Sequence, residues 1–160
     1  MKKLFQILLI SLSLSNQAFA GDFDTNILKL KATNNCVMCD LNAADFSGIN
    51  LTGANLSGAS FSKANLSGAD LRKANLSGVD FTVANLNGAN LSGADLSGAD
   101  LTSSKLKKAN LSGADLSGAD LTLSKLKKAN LSGADLSGVV IRYANLSGAT
   151  LCNTITPWGE

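Results

Sequence analysis

Residues 90–109 read NLSGADLSGADLTSSKLKKA, and residues 110–129 read NLSGADLSGADLTLSKLKKA. The two segments differ only where Ser103 in the first is replaced by Leu123 in the second. Each segment is itself built from five-residue blocks of the type Ala-Asp-Leu-Ser-Gly. The chain therefore carries two nested periods, one of five residues and one of twenty.

The five-residue period extends far beyond these two segments. Cys39–Asn153 divides into consecutive blocks without a gap, twenty-three in all. The third residue of every block is Leu, Phe or Ile, and the first is mostly Ala. The second is mainly Asn or Asp, the fourth mainly Ser or Thr, and the fifth usually Gly. A repeat that fills this much of a chain decides its fold.

A period of five is incompatible with any straight element. On an α-helix, residues five apart lie about 140° from each other, so the leucines would spiral around every side. On a strand, an odd period sends successive leucines to opposite faces. The chain must therefore turn once in each block, with the first and third residues inside. This pattern predicts that Leu96 is buried and that Ser97 lies outside.

The twenty-residue duplication indicates how many blocks close one coil. Inserting twenty residues adds one whole coil if four blocks make a square, whereas it would break the register of a three-sided or five-sided coil. We therefore predict a four-sided solenoid of just under six coils, about 28 Å long at the usual strand spacing. One predicted interior column comprises Leu51, Leu71, Leu91, Leu111, Leu131 and Leu151.

The blocks A-[DN]-[LF]-[ST]-G, of which Ala54–Gly58 is typical, resemble the pentapeptide-repeat family. The resemblance covers Cys39–Asn153 and implies an all-β fold, a right-handed quadrilateral β-helix. The handedness comes from the resemblance and not from the spacing. Several members of that family pair end to end at their C-terminal coils, so the resemblance also implies a possible end-to-end homodimer.

Residues 1–20 have the pattern of a signal peptide. Lys2 and Lys3 precede the apolar run Leu4–Leu14, and Ala18–Ala20 gives the small-residue pattern of a cleavage site. The run is too short to span a bilayer, which takes about 20 residues. We expect an exported chain, periplasmic or secreted, that begins at Gly21. A retained amphipathic helix is the alternative.

The repeats leave a short segment at each end. Residues 21–38 are expected to cap the first coil as a helix or strand, and residues 154–160 to form a C-terminal tail. Pro157 stops further coiling, and Trp158 could cover the last layer or contact another chain. The apolar residues that could cover the first layer of leucines are Phe23, Ile27, Leu28 and Leu30.

The composition excludes several classes of function. The chain has no His, so it lacks the commonest acid–base catalyst and metal ligand. Its net charge of +2 falls to zero once Lys2 and Lys3 are removed, which argues against a nucleic-acid-binding protein. With no nucleophile–base arrangement, we expect a non-catalytic chain that needs no cofactor.

Cys36-Val37-Met38-Cys39 is a C-x-x-C motif just before the repeats. Asp40 follows where c-type haem attachment needs His, and a zinc site would need two further ligands. A buried disulfide, or two small core residues, is the favoured interpretation in an exported protein. A redox or metal role for Cys36 and Cys39 is the alternative. Cys152 is an outward residue left over near the other end.

The most distinctive surface feature is the block Ser-Lys-Leu-Lys-Lys, which occurs twice, twenty residues apart. Leu106 and Leu126 should point inward, and six lysines should stack outward on adjacent coils of one face. A solvated face that resists aggregation is the favoured interpretation of such a cluster, and binding of an acidic partner, another anion or an anionic surface is the alternative. These residues are Lys105, Lys107, Lys108, Lys125, Lys127 and Lys128.

A second candidate contact patch is mildly apolar. It is the column of fifth residues that should lie exposed on successive coils: Val83, Ser103, Leu123 and Tyr143.

Together these features predict a binding or scaffold module whose partner is a protein or a polyanion. Some pentapeptide-repeat proteins mimic DNA and protect topoisomerases, but those carry a strongly acidic surface, whereas this chain is neutral with a lysine cluster. A redox protein using the C-x-x-C motif and a binder of ice or polysaccharide through its Ser and Thr columns are further alternatives.

Overall fold

A computed structural model describes the backbone of residues 21–156 and the side chains of residues 25–156. The predicted signal peptide, residues 1–20, and the expected roles of Pro157 and Trp158 lie outside the described residues. The described chain consists of one helix followed by a long stack of repeats.

Helix α1 spans Gly21–Thr33 and leads into the first coil. Leu30 is 1% exposed and Ile27 packs against the core, so the helix covers part of the first layer as expected. Leu28 was expected to join them but is 61% exposed, because it lies on the outer side of the helix. The side chain of Phe23 lies outside the described residues. Asn34 ends the helix with a φ of 54°, the left-handed conformation common just past a helix C-terminus.

No helix in the described range 21–156 is long and apolar enough to cross a membrane.

The repeats pair with one another in a single register. The second residue of each block forms a parallel bridge with the residue twenty positions further on, from Asn35 with Asn55 to Asp135 with Ile155. One lap of the chain therefore takes twenty residues, as the duplication predicts. The pairing begins at Asn35, one block before Cys39, so the regular pattern extends into the segment expected to be a cap.

Three of the five N–H groups in a typical block connect adjacent laps. The N–H of Leu96 donates to the carbonyl of the residue nineteen positions ahead, at 2.7 Å, and the N–H of Gly98 does the same at 2.8 Å. The N–H of Asp95 donates to the carbonyl twenty-one positions back, at 3.0 Å. Each block is therefore bonded to the lap above and to the lap below.

The other two N–H groups of the repeat close the corner between one block and the next. The N–H of Ala99 donates to the carbonyl of Leu96 at 3.0 Å, which forms a turn. The N–H of Ser97 donates to the Oδ1 of Asp95 at 2.9 Å. This last bond explains the preference for Asn or Asp at the second position, because only a short side chain with an oxygen can reach back to its own turn.

The first and third residues of the blocks form the core. Leu56, Leu96 and Leu116 are fully buried, and nearly all the Ala residues at the first position are as well. Phe61 lies 5.4 Å from Phe81, measured between ring centroids. The prediction that these two positions point inward is confirmed for the body of the stack.

The last lap departs from the prediction. Leu151 was expected to complete an interior column, but it is 45% exposed. Ile141 and Leu146 are only partly buried. The reason is that, within residues 21–156, no further lap lies above these side chains.

The inward and outward positions can be tested with two neighbouring substitutions. Leu96→Asp puts a charge into the core and should cost about 4 kcal/mol or more in the free energy of unfolding. Ser97→Ala removes one partly exposed hydroxyl and should change that free energy by less than about 1 kcal/mol. Urea denaturation followed by circular dichroism measures both. Similar unfolding midpoints for the two variants would contradict the assignment of core and surface.

Two serines occupy core positions that other blocks give to Ala. Ser104 and Ser124 are fully buried, and their hydroxyl oxygens have no hydrogen-bond partner in the described structure. A buried hydroxyl without a partner is unfavourable. Both serines directly precede the second-position lysines of the duplicated block.

We expect Ser124→Ala and Ser104→Ala each to stabilise the protein by about 1 kcal/mol, because each removes an unpartnered buried hydroxyl. The measurement is the unfolding midpoint in urea. Ser97→Ala is the matched control, since the Ser97 hydroxyl is partly exposed and bonded to Asp95. A loss of stability in both core variants would show that these hydroxyls have partners in solution.

Candidate functional site: a groove lined by lysines

The six lysines of the duplicated block form one surface. Lys105 and Lys125 are bridged to each other on adjacent laps, which places their backbones about 4.8 Å apart. We call the six residues the lysine surface. All are exposed, as predicted: Lys105, Lys107, Lys108, Lys125, Lys127 and Lys128.

On the laps next to the lysine surface, its own column carries no neutralising carboxylate. The second-position column that holds Lys105 and Lys125 continues as Asn85 below and Asn145 above. Among residues 25–156 the structure has one ion pair, between Arg72 and Asp70, and it involves none of the six lysines. The positive charge of this surface is therefore uncompensated by its neighbours in the column.

In the Arg72–Asp70 pair, by contrast, the positive charge is neutralised by a neighbouring carboxylate. The guanidinium of Arg72 donates to the carboxylate of Asp70 at 2.7 Å. Hydrogen bonding from Arg72 lowers the pKa of Asp70 to about 2. This pair lies on the face next to the lysine column, so it does not neutralise the lysine surface.

A groove of about 420 Å³ runs along the lysine surface. Leu123 and Tyr143 form an apolar side, and they are 52% and 86% exposed. The polar residues that line the groove are Asn87, Lys105, Lys107, Lys125, Lys127 and Asn145. The structure thus brings the two predicted patches together, although Val83 and Ser103 do not line the groove.

Within residues 21–156, the main-chain N–H of Lys127, which lines the groove, has no acceptor. In the blocks between residues 40 and 139, every fourth-position N–H donates to a side-chain oxygen except the N–H of Lys127. The N–H of Lys107 donates to the Oδ1 of Asn87 at 2.9 Å. Lys127 lacks such a partner because Lys125 replaces the usual Asn or Asp and Lys107 lies on the lap below, and a lysine side chain has no acceptor oxygen.

The C-x-x-C motif lies far from the groove, at the first lap. The sulfur atoms of Cys36 and Cys39 are joined in the structure as a disulfide, 2.07 Å apart. Cys36 is fully buried and Cys39 is 5% exposed. Both residues occupy the inward positions that the repeat register assigns to them.

Within the side chains that the structure describes, no group of three or more Cys, Asp or Glu residues could hold a metal ion. Cys152 is exposed at the opposite end of the stack from the disulfide.

Sequence reasoning located the lysines but did not detect the unpaired N–H of Lys127 or the groove. The signal for the first was present in the sequence. Lys125 occupies the second position without the usual side-chain oxygen. Lys105 is in the same situation, but Asn87 on the lap below supplies an oxygen to the N–H of Lys107. Below Lys127 lies Lys107, which has no such oxygen. The consequence of this substitution becomes clear only from the structure, which shows that the second-position side chain accepts a hydrogen bond from the fourth-position N–H.

The chain belongs to the pentapeptide-repeat family. The profile described as "Pentapeptide repeats" matches residues 39–78, 84–122 and 119–155 in eight copies. The comparison with curated protein sequences gave no significant match.

Several crystal structures are similar to this chain. Rfr23, a pentapeptide repeat protein from the cyanobacterium Cyanothece 51142, is 28% identical over 83% of this chain and 98% of its own, with a TM-score of 0.52. A pentapeptide repeat protein of the Arabidopsis thaliana thylakoid lumen is 36% identical over 68% and 70%, with a TM-score of 0.42. QnrB1, a plasmid-mediated fluoroquinolone resistance protein, is 22% identical over 79% and 77%, with a TM-score of 0.40. The likeness to Rfr23 supports a β-helical fold.

Proposed function

We propose that this protein is an exported, non-catalytic binding module that holds a partner protein on its lysine surface. The observation that carries the proposal is the stacking of six exposed lysines on two laps with no carboxylate among them. Like charges held side by side repel one another, so an acidic partner gains energy by neutralising them.

The lysine surface sits on a scaffold suited to binding. We infer that the scaffold is a right-handed, four-sided β-helix of just under six coils. Its core is filled with Leu and Ala, and the backbone of each lap is bonded to the next. A rigid scaffold of this kind holds surface side chains in fixed relative positions, which lowers the entropic cost of binding.

Export is the second part of the proposal. The pattern of residues 1–20 is that of a signal peptide, and an oxidising compartment would keep the disulfide of Cys36 and Cys39 formed. The buried disulfide then serves to fix the start of the first lap. A mimic of DNA would need an acidic surface, and the net charge of zero without Lys2 and Lys3 disfavours that role.

Site-specific photo-crosslinking in the producing cells tests the proposal. A photoreactive residue at Ser147, directly above Lys127, should capture a partner protein. The same residue at Ser137 should capture none, because Ser137 is also an exposed fourth-position residue but lies two blocks away, on the opposite face. Capture at Ser147 should fall about tenfold or more when the lysines are replaced by residues found in neighbouring laps.

Equal capture from both positions, or capture that survives the loss of the lysines, would contradict a role for the lysine surface. Fractionation of the same cells reports on export, which requires a shortened chain in the periplasm or medium. A full-length chain in the cytoplasm would contradict it. The replacements are Lys105→Asn, Lys107→Ser, Lys108→Gly, Lys125→Asn, Lys127→Ser and Lys128→Gly.

We also propose an end-to-end homodimer through the last lap. Ile141, Leu146 and Leu151 are incompletely buried there. Their N–H groups have no acceptor within residues 21–156, so this end presents an open sheet edge as well as an apolar surface. Both features favour pairing with a second copy.

Light scattering coupled to size-exclusion chromatography checks this arrangement. The unmodified protein should have twice the mass of one chain, and Leu151→Asp should reduce it to one because a charge would be buried at the interface. Val83→Asp is the control, since Val83 is equally exposed, at 45%, but lies on the side of the stack. A single-chain mass for the unmodified protein would exclude the dimer.

A further inference from the structure

We propose that the groove beside Leu123 and Tyr143 binds a short acidic segment of a partner protein, in which a carboxylate stands next to an apolar side chain. The inference rests on the proposed function and specifies the ligand of the same surface. Three observations point to this chemistry: the unpaired N–H of Lys127, the exposed apolar side of the groove, and the limited extent of the positive charge.

The N–H of Lys127 indicates a carboxylate. In the other blocks between residues 40 and 139 this N–H donates to an Asp or Asn oxygen, as that of Thr122 does to the Oδ1 of Asp120 at 2.8 Å. At Lys127 a carboxylate of the partner can take that place. There it accepts the main-chain hydrogen bond and also meets the ammonium groups of Lys125 and Lys127, both of which line the groove. Hydrogen bonds between charged groups of this kind are short and strong.

The apolar side of the groove indicates a hydrophobic neighbour for that carboxylate. Leu123 and Tyr143 have φ values of 61° and 59°, in the left-handed region that Gly adopts in most other blocks. A residue with a side chain costs about 1 kcal/mol or more in this conformation. The large apolar side chains of Leu123 and Tyr143 are therefore carried by an unfavourable backbone conformation. They are exposed beside four lysines, where they can cover an apolar group of the ligand.

The positively charged surface does not extend far enough along the stack to bind a long polyanion. It covers two laps, about 10 Å along the stack. The second-position column of the preceding face carries Asp80, Asp100 and Asp120, bridged on successive laps. A nucleic-acid strand or a membrane surface that extends beyond the two lysine laps would meet these carboxylates. A short protein segment can stay within the groove.

The binding test uses the chain from Gly21 onward and three labelled peptides, followed by fluorescence anisotropy. Acetyl-Asp-Asp-Phe-Asp-Asp should bind, and its affinity should fall as the salt concentration rises. Acetyl-Asp-Asp-Gly-Asp-Asp lacks the apolar group, and acetyl-Asn-Asn-Phe-Asn-Asn lacks the charges. Both should bind about tenfold more weakly or worse, since charge and apolar burial contribute separately.

Two variants at one lysine separate charge from hydrogen bonding. Lys125→Met removes the ammonium group but supplies no oxygen, so the N–H of Lys127 stays available. Lys125→Asp restores an oxygen that can accept this N–H internally and also reverses the charge. Lys125→Met should retain part of the affinity for the first peptide, and Lys125→Asp should abolish it. In amide NMR spectra of the unmodified chain, the Lys127 signal should shift downfield on adding that peptide.

The apolar side can be removed without disturbing the fold. Leu123→Gly combined with Tyr143→Gly restores the commonest residue at that backbone position, so the double variant should fold and should bind the first peptide about tenfold more weakly. The control is Lys63→Gly combined with Lys73→Gly, which makes the same backbone change at two exposed residues outside the groove. The control should leave binding unchanged.

Each outcome decides the proposal. It is overturned if the three peptides bind equally, if the Lys127 amide does not respond, or if oligothymidylate or phosphatidylglycerol vesicles bind with the same variant dependence and higher affinity than the peptide. If photo-crosslinking from Ser147 still captures a partner in a lysine-dependent way while the acidic peptide does not bind, the proposed function stands and the assignment of its ligand is wrong.

Discussion

The fold depends on one recurring arrangement, in which all five N–H groups of a block have an acceptor. Three donate to neighbouring laps, one closes the turn, and the fourth-position N–H donates to the side-chain oxygen two residues back. Burial of Leu and Ala drives the chain together, but a tight corner every five residues would otherwise leave polar groups unpaired. The oxygen of the second residue therefore completes the hydrogen bonding of the corner, and Lys125 leaves that hydrogen bonding incomplete.

Much of this structure follows from the sequence. The two periods predict turning blocks, inward Leu96 and a lap of twenty residues, because side-chain direction and strand register are geometric consequences of spacing. The exposure of the lysines follows in the same way. The groove does not, since it depends on the side-chain conformations of residues on different laps, such as Tyr143 and Lys125, and spacing does not determine these conformations. The pairing state of the Lys127 N–H depends on angles and distances that a one-dimensional pattern lacks.

The two ends illustrate a different limit of sequence reasoning. A repeat predicts the environment of a residue from its position in the block, and this works wherever a lap lies above and below. Leu151 has the third position of its block yet is 45% exposed, because no lap lies above it in the part of the chain that the structure describes. Helix α1 covers the opposite end with Leu30 and leaves Leu28 outside, a distinction that depends on how the helix is seated on the first lap.

The near-identity of residues 90–109 and 110–129 has a consequence for how such a surface arises. Tandem copying of sixty nucleotides adds a full lap and leaves every later residue on its original side. The stack of repeats therefore lengthens without changing which residues lie on each of its other faces. A copied segment of one or two blocks would rotate everything downstream by a quarter or a half turn. A single copying event could thus turn one row of cations into two, after which Leu123 in place of Ser103 distinguishes the two rows.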